Sequence, residues 1–473
     1  MRKTIGAQKD NLVFQFLTES VLLSVLSFVL GIVLASLLLP WFNIVSEKNI
    51  EFPWLSPVFF PIAIGVALLI GLFAGLYPAF YLSSFKPARV LKGNLASGSK
   101  NRRLRSGLVV FQFAISIVLI IGTLIIYKQT DYILNKELGY NKEQVLVVQG
   151  AGALGDKVQS FKKQLLDLPS VSKVSIGDYL PVAGTKRNGN TFKNIDDPVE
   201  DTGVPGQIWR VDHDYLQTLG LEIVNGRDFA INRPSDSIDA AIINEKMAQE
   251  LGMENPIGKR IDNGDQFVVI GVVKDFHYSS LRENIRPLAL VIGSSPGLIS
   301  VKISTSELNQ TIASISEIWD RNVSNQTFNY TFLDDDFAQM HSDVQRMGNI
   351  FNGFAVFAIL VACLGLFALS AFMVEQRKKE ISIRMVLGAP FKSIYQLLTI
   401  DFIQLVLIAF VIAVPIGWYS MQRWLEDFAY KIPLDWSLFL MAGIIAVFVA
   451  LLTISYQSVS AALMQPLKSL RTE

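Results

Sequence analysis

Cysteine is almost missing from this sequence. Cys363 is the only one in 473 residues and lies inside an apolar run. That excludes an intrachain disulfide and a cysteine-based metal site, and leaves Cys363 as a small lipid- or helix-facing residue. Histidine is nearly as scarce: His213, His277 and His341 show neither HExxH nor a paired spacing. Asp212-His213-Asp214 and Asp275-Phe276-His277 therefore read as surface or capping groups rather than as metal ligands. No GxxxxGK[ST] occurs, so no phosphate-binding loop is expected. The nearest string, Asn255-Pro256-Ile257-Gly258-Lys259-Arg260, lacks the first glycine and the hydroxyl residue and reads as a turn ahead of a strand. No Ser-His-Asp constellation can be argued from spacing. The chain is thus expected to be non-catalytic, with no cofactor and no metal. Charge is also sparse, at 18%. The long apolar runs have no Lys, Arg, Asp or Glu at mid-membrane depth, which argues against an ion or proton path.

What is abundant is hydrophobic sequence: 51% of the residues, with a mean hydropathy of +0.38. Soluble domains of this length are rarely so apolar. Six uncharged stretches exceed the roughly 20 residues that cross a bilayer. They are Ser20–Ser46, Phe52–Phe85, Ser106–Tyr127, Met347–Val374, Phe402–Gln422 and Trp436–Leu467. The first is too long for a signal-peptide core of about 7–15 residues and reads as a retained helix. Pro78 and Pro415 are expected to kink their helices. Ala67, Gly71 and Gly75 form a small-xxx-small ladder, the pattern that lets helix backbones approach; it also arises by chance.

The helical unit occurs twice. Arg2–Glu19 and Arg384–Asp401 align at a constant offset, which places Arg2 on Arg384, Gly6 on Gly388, Ala7 on Ala389 and Glu19 on Asp401. Each copy continues into two apolar stretches and ends on a basic tag, Lys86–Lys92 or Gln465–Arg471. Same-direction repeats imply a pseudo-symmetry axis along the membrane normal.

Charge sets the orientation. With the N-terminus inside, the inner segments Met1–Glu19, Lys86–Arg105, Glu375–Asp401 and the C-terminal tail hold seventeen Lys and Arg. The short outer loops hold three: Lys48, Arg423 and Lys431. The positive-inside rule requires this asymmetry. Both termini are then cytoplasmic. The block Lys128–Arg346 falls outside, with 30 acidic against 22 basic residues, and offers no basic face for nucleic acid.

That block is long enough to fold as its own domain. Tyr127–Leu138 and Asp335–Phe351 read as stalk helices that continue the third span and lead into the fourth. Two stretches share a β-α-β rhythm: Gln144–Gln149, Asp156–Leu168, Val171–Asp178, and then Leu298–Ile303, Ser306–Asn322, Thr327–Leu333. Such units can form one antiparallel sheet with helices on one side, as in ferredoxin-like folds. Between them Pro181–Pro296 reads as an inserted β-rich subdomain, with Val268–Val273 a buried strand and Ile242–Leu251 a short helix. Asp334-Asp335-Asp336 reads as a helix cap with acids in the first turn. The fold expected is thus an α-helical multi-pass membrane protein with an α+β extracytoplasmic domain. Its divisions are residues 1–97 (two spans), 98–127 (third span), 128–346 (extracytoplasmic) and 347–473 (three spans).

Glu375–Leu398 alternates charged and apolar residues at near-helical spacing, which predicts an amphipathic helix on the inner membrane surface and then a Gly-Ala-Pro turn into the next span. Lipid anchoring alone would suffice for the basic residues. It would not require the Gly-Ala turn repeated in both copies, which favours docking of a cytoplasmic partner.

These residues resemble the MacB/FtsX-like permease family of ABC transporters in its double-length form. The matching strings are Glu375–Ala389 (EQRKKEISIRMVLGA), Gln465–Arg471, Gly220–Phe229 (GLEIVNGRDF), Ile243-Asn244-Glu245, Asn255–Lys259, Ile270–Phe276 and Tyr330–Phe337. Met1 aligns with Ile383 of the second copy, so relative to the double-length pattern a leading helix and a first external domain are expected to be missing. The resemblance implies mechanotransmission. A separate ATPase dimer would dock near Arg2, Gly6, Ala7, Arg377, Lys379, Glu380, Arg384, Gly388 and Ala389, and its closure would move the external domain. It further implies peptide, toxin or lipoprotein substrates, and a periplasmic adaptor, outer-membrane conduit or lipoprotein as outer partners. An FtsX-type scaffold that activates a cell-wall hydrolase is the alternative function.

Overall fold

The computed structural model describes residues 9–54, 56–83, 98–182, 189–196, 203–293, 297–305, 307–376, 378–387 and 390–462. In chain order the helices before the first strand are α1 (Lys9–Ser46), α2 (Phe59–Ser83) and α3 (Gly98–Asn135). The next elements are β1 (Val145–Val148), α4 (Val158–Leu166), β2 (Val171–Gly177), β3 (Asn190–Asn194), β4 (Val204–Val211), α5 (Tyr215–Leu219) and β5 (Ile223–Gly226). They are followed by β6 (Ala240–Asn244), α6 (Glu245–Glu250), β7 (Arg260–Asp262), β8 (Gln266–Val273), β9 (Leu288–Ile292), β10 (Leu298–Ile303), α7 (Leu308–Asn322) and β11 (Tyr330–Phe332). The chain ends with α8 (Leu333–Met340), α9 (Ser342–Gln376), α10 (Lys378–Val386), α11 (Phe391–Leu425) and α12 (Trp436–Ala462).

The chain divides into two compact units. One, the helical unit, holds 1–126, 346–420 and 434–473; the other, the sheet unit, holds 127–345 together with 421–433. Among the described residues six helical stretches are long and apolar enough to span a membrane. They are Val13–Ser46, Phe59–Leu76, Ser106–Asn135, Ser342–Gln376, Thr399–Leu425 and Trp436–Tyr456. Their outward faces keep Leu, Ile, Val and Phe exposed, as lipid contact demands. Pro40 and Pro415 lie inside α1 and α11 without ending either helix.

The sheet unit is built from an alternation that the short strand β1 makes plain. All four of its residues are buried. Val145 and Val147 face one hydrophobic cluster while Leu146 and Val148 face another. A strand with period-two side chains and both faces covered reads as an unbroken apolar run. On one face α4 and α7 supply Phe161, Leu165, Ile315 and Trp319. On the other lie Trp209, Phe276, Tyr278 and the buried Phe428.

The strand order is β11-β1-β10-β2, continued by β4, β3, β7, β8, β6 and β9. β1 and β2 each run antiparallel to β10, and β11 runs antiparallel to β1. The two β-α-β units therefore interlock as a split, ferredoxin-like sheet, and β3–β9 form the β-rich insertion between them.

Two expectations need correction. Residues 242–251 are not one helix. Ile242 to Asn244 pair with β8 and β9, and the helix starts at Glu245 because the Asn244 side chain accepts the Met247 N–H at 3.0 Å. The segment 335–351 is not continuous either. It breaks at His341, whose φ of −110° separates α8 from α9. The three aspartates do occupy the first turn of α8, but the N-cap is Phe332, with no side-chain cap.

Candidate functional site

Of the residues expected to dock a partner, Arg2, Gly6, Ala7, Arg377, Gly388 and Ala389 lie outside the described residues. Lys379 lies on α10. On the same helix Arg384 donates to the Glu380 carboxylate at 2.8 Å, an exposed i,i+4 pair. Ile381 is buried, while Ile383, Val386 and Leu387 stand exposed beside that pair. This nine-residue helix thus presents apolar and charged groups to its surroundings together.

The ladder Ala67, Gly71, Gly75 lies on the face of α2 that meets α1. Ser24 donates its hydroxyl to the Ala67 carbonyl at 2.7 Å. A Cβ on Gly71 would fall 2.7 Å from the Val21 Cα, and one on Gly75 would fall 2.9 Å from the Ser20 Cβ. No real Cβ tolerates the first of these, because the obstacle is backbone rather than a mobile side chain.

In the sheet unit the strings that carry the family resemblance converge. Asn244, fully buried, accepts from the backbone N–H groups of Met247 and Leu288 and donates to the Arg286 carbonyl. Asp275 accepts from the Lys246 N–H at 2.9 Å, while its own N–H donates to the Glu245 carboxylate at 2.9 Å. Arg227 grips Asp236 with both guanidinium arms, at 2.6 and 2.7 Å. Gly139, at φ +81°, lets the chain beyond α3 pass Asp275 and Phe276, where a Cβ would lie 2.9 Å from the Asp275 carbonyl oxygen. Gly258 donates to the Val269 carbonyl and Val269 back to the Lys259 carbonyl, so Asn255–Lys259 is a turn bound to β8 ahead of β7. These contacts are joints of the insertion.

The histidines depart from the surface reading. His277 and His341 are both buried, at 8% and 1% exposure. Burial holds His277 well below the usual imidazole range, at about 4, with Lys136 adding to the effect. His341 shifts in the same direction, also through burial, and its Nδ1 lies 3.1 Å from the Phe337 carbonyl oxygen. Asp212 and Asp214 flank His213 and serve a different purpose: both carboxylates take the Lys162 ammonium, at 2.7 and 2.5 Å. Burial disfavours the charged lysine, but the two carboxylates outweigh it and hold Lys162 above its ordinary value. The trio ties α4 to the turn after β4. The sequence string Asp-His-Asp was visible, but nothing in sequence pointed to Lys162.

A polar cleft of about 1130 Å³ opens between the start of β3, α6 and residues 284–287, with Tyr430 on its wall. Its charged groups are matched locally: Lys246 with Glu250 at 3.3 Å, Arg286 with Glu283 at 3.1 Å. Among the described residues no three His, Cys, Asp or Glu side chains converge as a metal site would require.

Six helices long and apolar enough to span a membrane, together with a ferredoxin-like sheet unit that holds a β-rich insertion, define a multi-pass membrane protein with an α+β domain. Comparison with known proteins gives the family. The model described as FtsX-like permease C-terminal matches residues 1–87 and 352–466, and that of the MacB-like periplasmic core domain matches 106–315. The chain belongs to the MacB/FtsX-like ABC transporter permeases. A curated relative, the macrolide export ATP-binding/permease protein MacB of Aggregatibacter actinomycetemcomitans, is 27% identical over 214 residues. That match takes in 42% of this chain and 33% of the relative, so the chain spans about a third of that protein's length. The periplasmic region of MacB from Actinobacillus actinomycetemcomitans superposes with a TM-score of 0.31 at 18% identity, over 43% of this chain and 95% of that one. The extracellular domain of the ABC-type transporter YknZ from Gram-positive bacteria gives 0.29 at 15% identity, over 42% and 94%.

Proposed function

We propose that this chain is a mechanical membrane subunit. A separate cytoplasmic ATPase dimer would dock on α10 and on the matching N-terminal segment, and nucleotide-driven closure would move the sheet unit on the outer side of the inner membrane. The observation that carries this reading is that α3 and α9 are each one unbroken helix with two roles. Each contains a candidate span, and each also plants a residue in the sheet-unit core: Ile133 on α3 and Val344 on α9, both buried. A helix transmits displacement along its axis with little loss, since its backbone hydrogen bonds are internal. The apolar spans, with no ionisable residue at their centres, suit movement of helices better than passage of a hydrophilic solute. On this reading the cargo is a peptide, toxin or lipoprotein handled outside, and membrane lipid meets the basic inner segments.

The test is co-purification with the ATPase in the presence and absence of nucleotide. Reversing Arg384 and Lys379 to Glu is expected to lower recovery about tenfold, or about 1.4 kcal/mol. Loss of the intrahelical Glu380–Arg384 pair is worth only about 0.3–0.5 kcal/mol, so it cannot account for such a drop. Gly388→Pro should act in the same direction. Full recovery of the ATPase with all three substitutions would remove the docking assignment.

A further inference from the structure

The connection between α11 and α12 is built as part of the sheet unit, not as a free loop. Residues 421–433 cluster with that unit, although the helical unit holds most of α11 and α12. Phe428 is 2% exposed within its larger hydrophobic cluster. Ala429 and Tyr430 donate their N–H groups to the carbonyls of Arg282 and Leu281, at 3.2 and 3.3 Å. Arg282 in turn lies 5.0 Å from the Phe428 ring centroid and pairs with Asp343 of α9 at 2.6 Å.

The most telling contact comes from α3. Gln129 is fully buried, and its primary amide behaves like one rung of a β ladder. Its Nε2 donates to the Tyr430 carbonyl at 2.9 Å, and its Oε1 accepts from the Ile432 N–H at 2.9 Å. Gln129, Ile133 and Lys136 follow i, i+4, i+7 spacing, so they share one face of α3. Lys136 sits 4.8 Å from the Tyr430 ring centroid, and Tyr430 meets His277 edge-on at 4.5 Å. A buried primary amide with both ends satisfied by one segment's backbone is costly to leave unmade. A loop that only had to join two helices would need no such partner.

We propose that residues 421–433 form a third tether, in addition to α3 and α9, which carries displacement of α11 and α12 directly into the sheet unit. Gln129 is its positioning residue. The proposal rests on the transmission reading above and adds a route to it.

The test uses the full chain in lipid nanodiscs, read by hydrogen exchange. The backbone amides of Ala429, Tyr430 and Ile432 are expected to exchange at least 100-fold more slowly than an open loop. Gln129→Leu, and separately the near-isosteric Gln129→Glu, should speed them about tenfold or more while β2 and β10 stay unchanged. Open-loop rates in the wild type, or no response to either substitution, would overturn the clamp. Transmission is tested by placing short flexible Gly/Ser inserts after Glu426 and before Asp435, which slacken both ends and leave the clamp intact. With the docked ATPase present, the inserts should at least halve the nucleotide-dependent change in exchange across residues 277–292. A nucleotide response that the inserts do not alter sinks the tether alone. A wild type with no nucleotide response sinks the transmission reading with it, while the slow amides at 429–432 would still report the clamp.

Discussion

Two titratable residues, His277 buried and Asp178 half-buried, pull the sheet unit's stability in opposite directions. His277 is held at about 4, chiefly by burial, against 6.5 when unfolded. Between those values the unfolded chain takes up a proton that the folded one refuses, so stability falls as pH drops from about 6.5 to 4. Burial raises Asp178 to about 6, although its carboxylate accepts the Arg210 N–H at 2.9 Å. Here the folded state holds the proton, so stability falls as pH rises from 3.8 through 6. Each contribution is on the order of 1–2 kcal/mol once solvent screening is allowed for. Asp178→Asn keeps the acceptor oxygen and removes the charge. It is expected to stabilise the protein at pH 7.5 and to lose that advantage below about pH 4. Replacing His277 with Phe should flatten the acid limb between pH 6.5 and 4. Denaturant midpoints measured across pH on both variants decide this, and an unchanged pH profile in either would refute the corresponding assignment.

Elements were legible in sequence where burial imposes a period, and less so where one side chain decides. β1 matches the apolar run that suggested it, because a strand covered on both faces must be apolar throughout, while β2 and β10 appear at Val171–Gly177 and Leu298–Ile303, where Val and Ile are interspersed with Ser and Lys. The β6–α6 boundary was misplaced because Ala-Ala-Ile-Ile suits either element; only the hydrogen bonds of Asn244 fix where the strand stops. The break at His341 was hidden for the same reason, since the sequence across it keeps helical spacing. At the site, α10 was readable as a helix from its spacing, but the exposure of Ile383 and Val386 beside the Glu380–Arg384 pair was not. Gln129 was not, because a glutamine near the end of an apolar run looks like any residue that leaves the membrane, and its partner lies some 300 positions along. The α1–α2 contact gives a sharp test at this scale. Gly71→Ala places a methyl against the Val21 backbone, and overpacking of this kind costs about 1–3 kcal/mol. Gly65→Ala on the same helix meets nothing within 4 Å and should be neutral or mildly stabilising. Thermal melts of both variants in detergent distinguish local crowding from a general intolerance of α2 to substitution; equal losses would argue against the close approach.

At the scale of the molecule, the proposed sidedness rests on the charge asymmetry and on the position of the sheet unit in the chain. In a Cys363→Ser background, single cysteines at exposed positions of the sheet unit, such as Ile231 or Ile238, should react with an impermeant maleimide added outside intact cells. A cysteine at Leu387, also exposed, should react only after permeabilisation. The reverse pattern would invert the proposed orientation and with it the side on which an ATPase could dock.

The interlocked sheet also bears on how the chain is made. β1 is flanked by β10 and β11, whose residues leave the ribosome well over a hundred positions later, and the core they share waits longer still for Phe428. Until β10 and β11 emerge, β1 has both edges open and β2 lacks its β10 neighbour. Biogenesis therefore passes through a long-lived, half-built lobe that must be shielded from aggregation until α11 has been inserted. Truncations that end before residue 421 would prolong that exposed stage indefinitely.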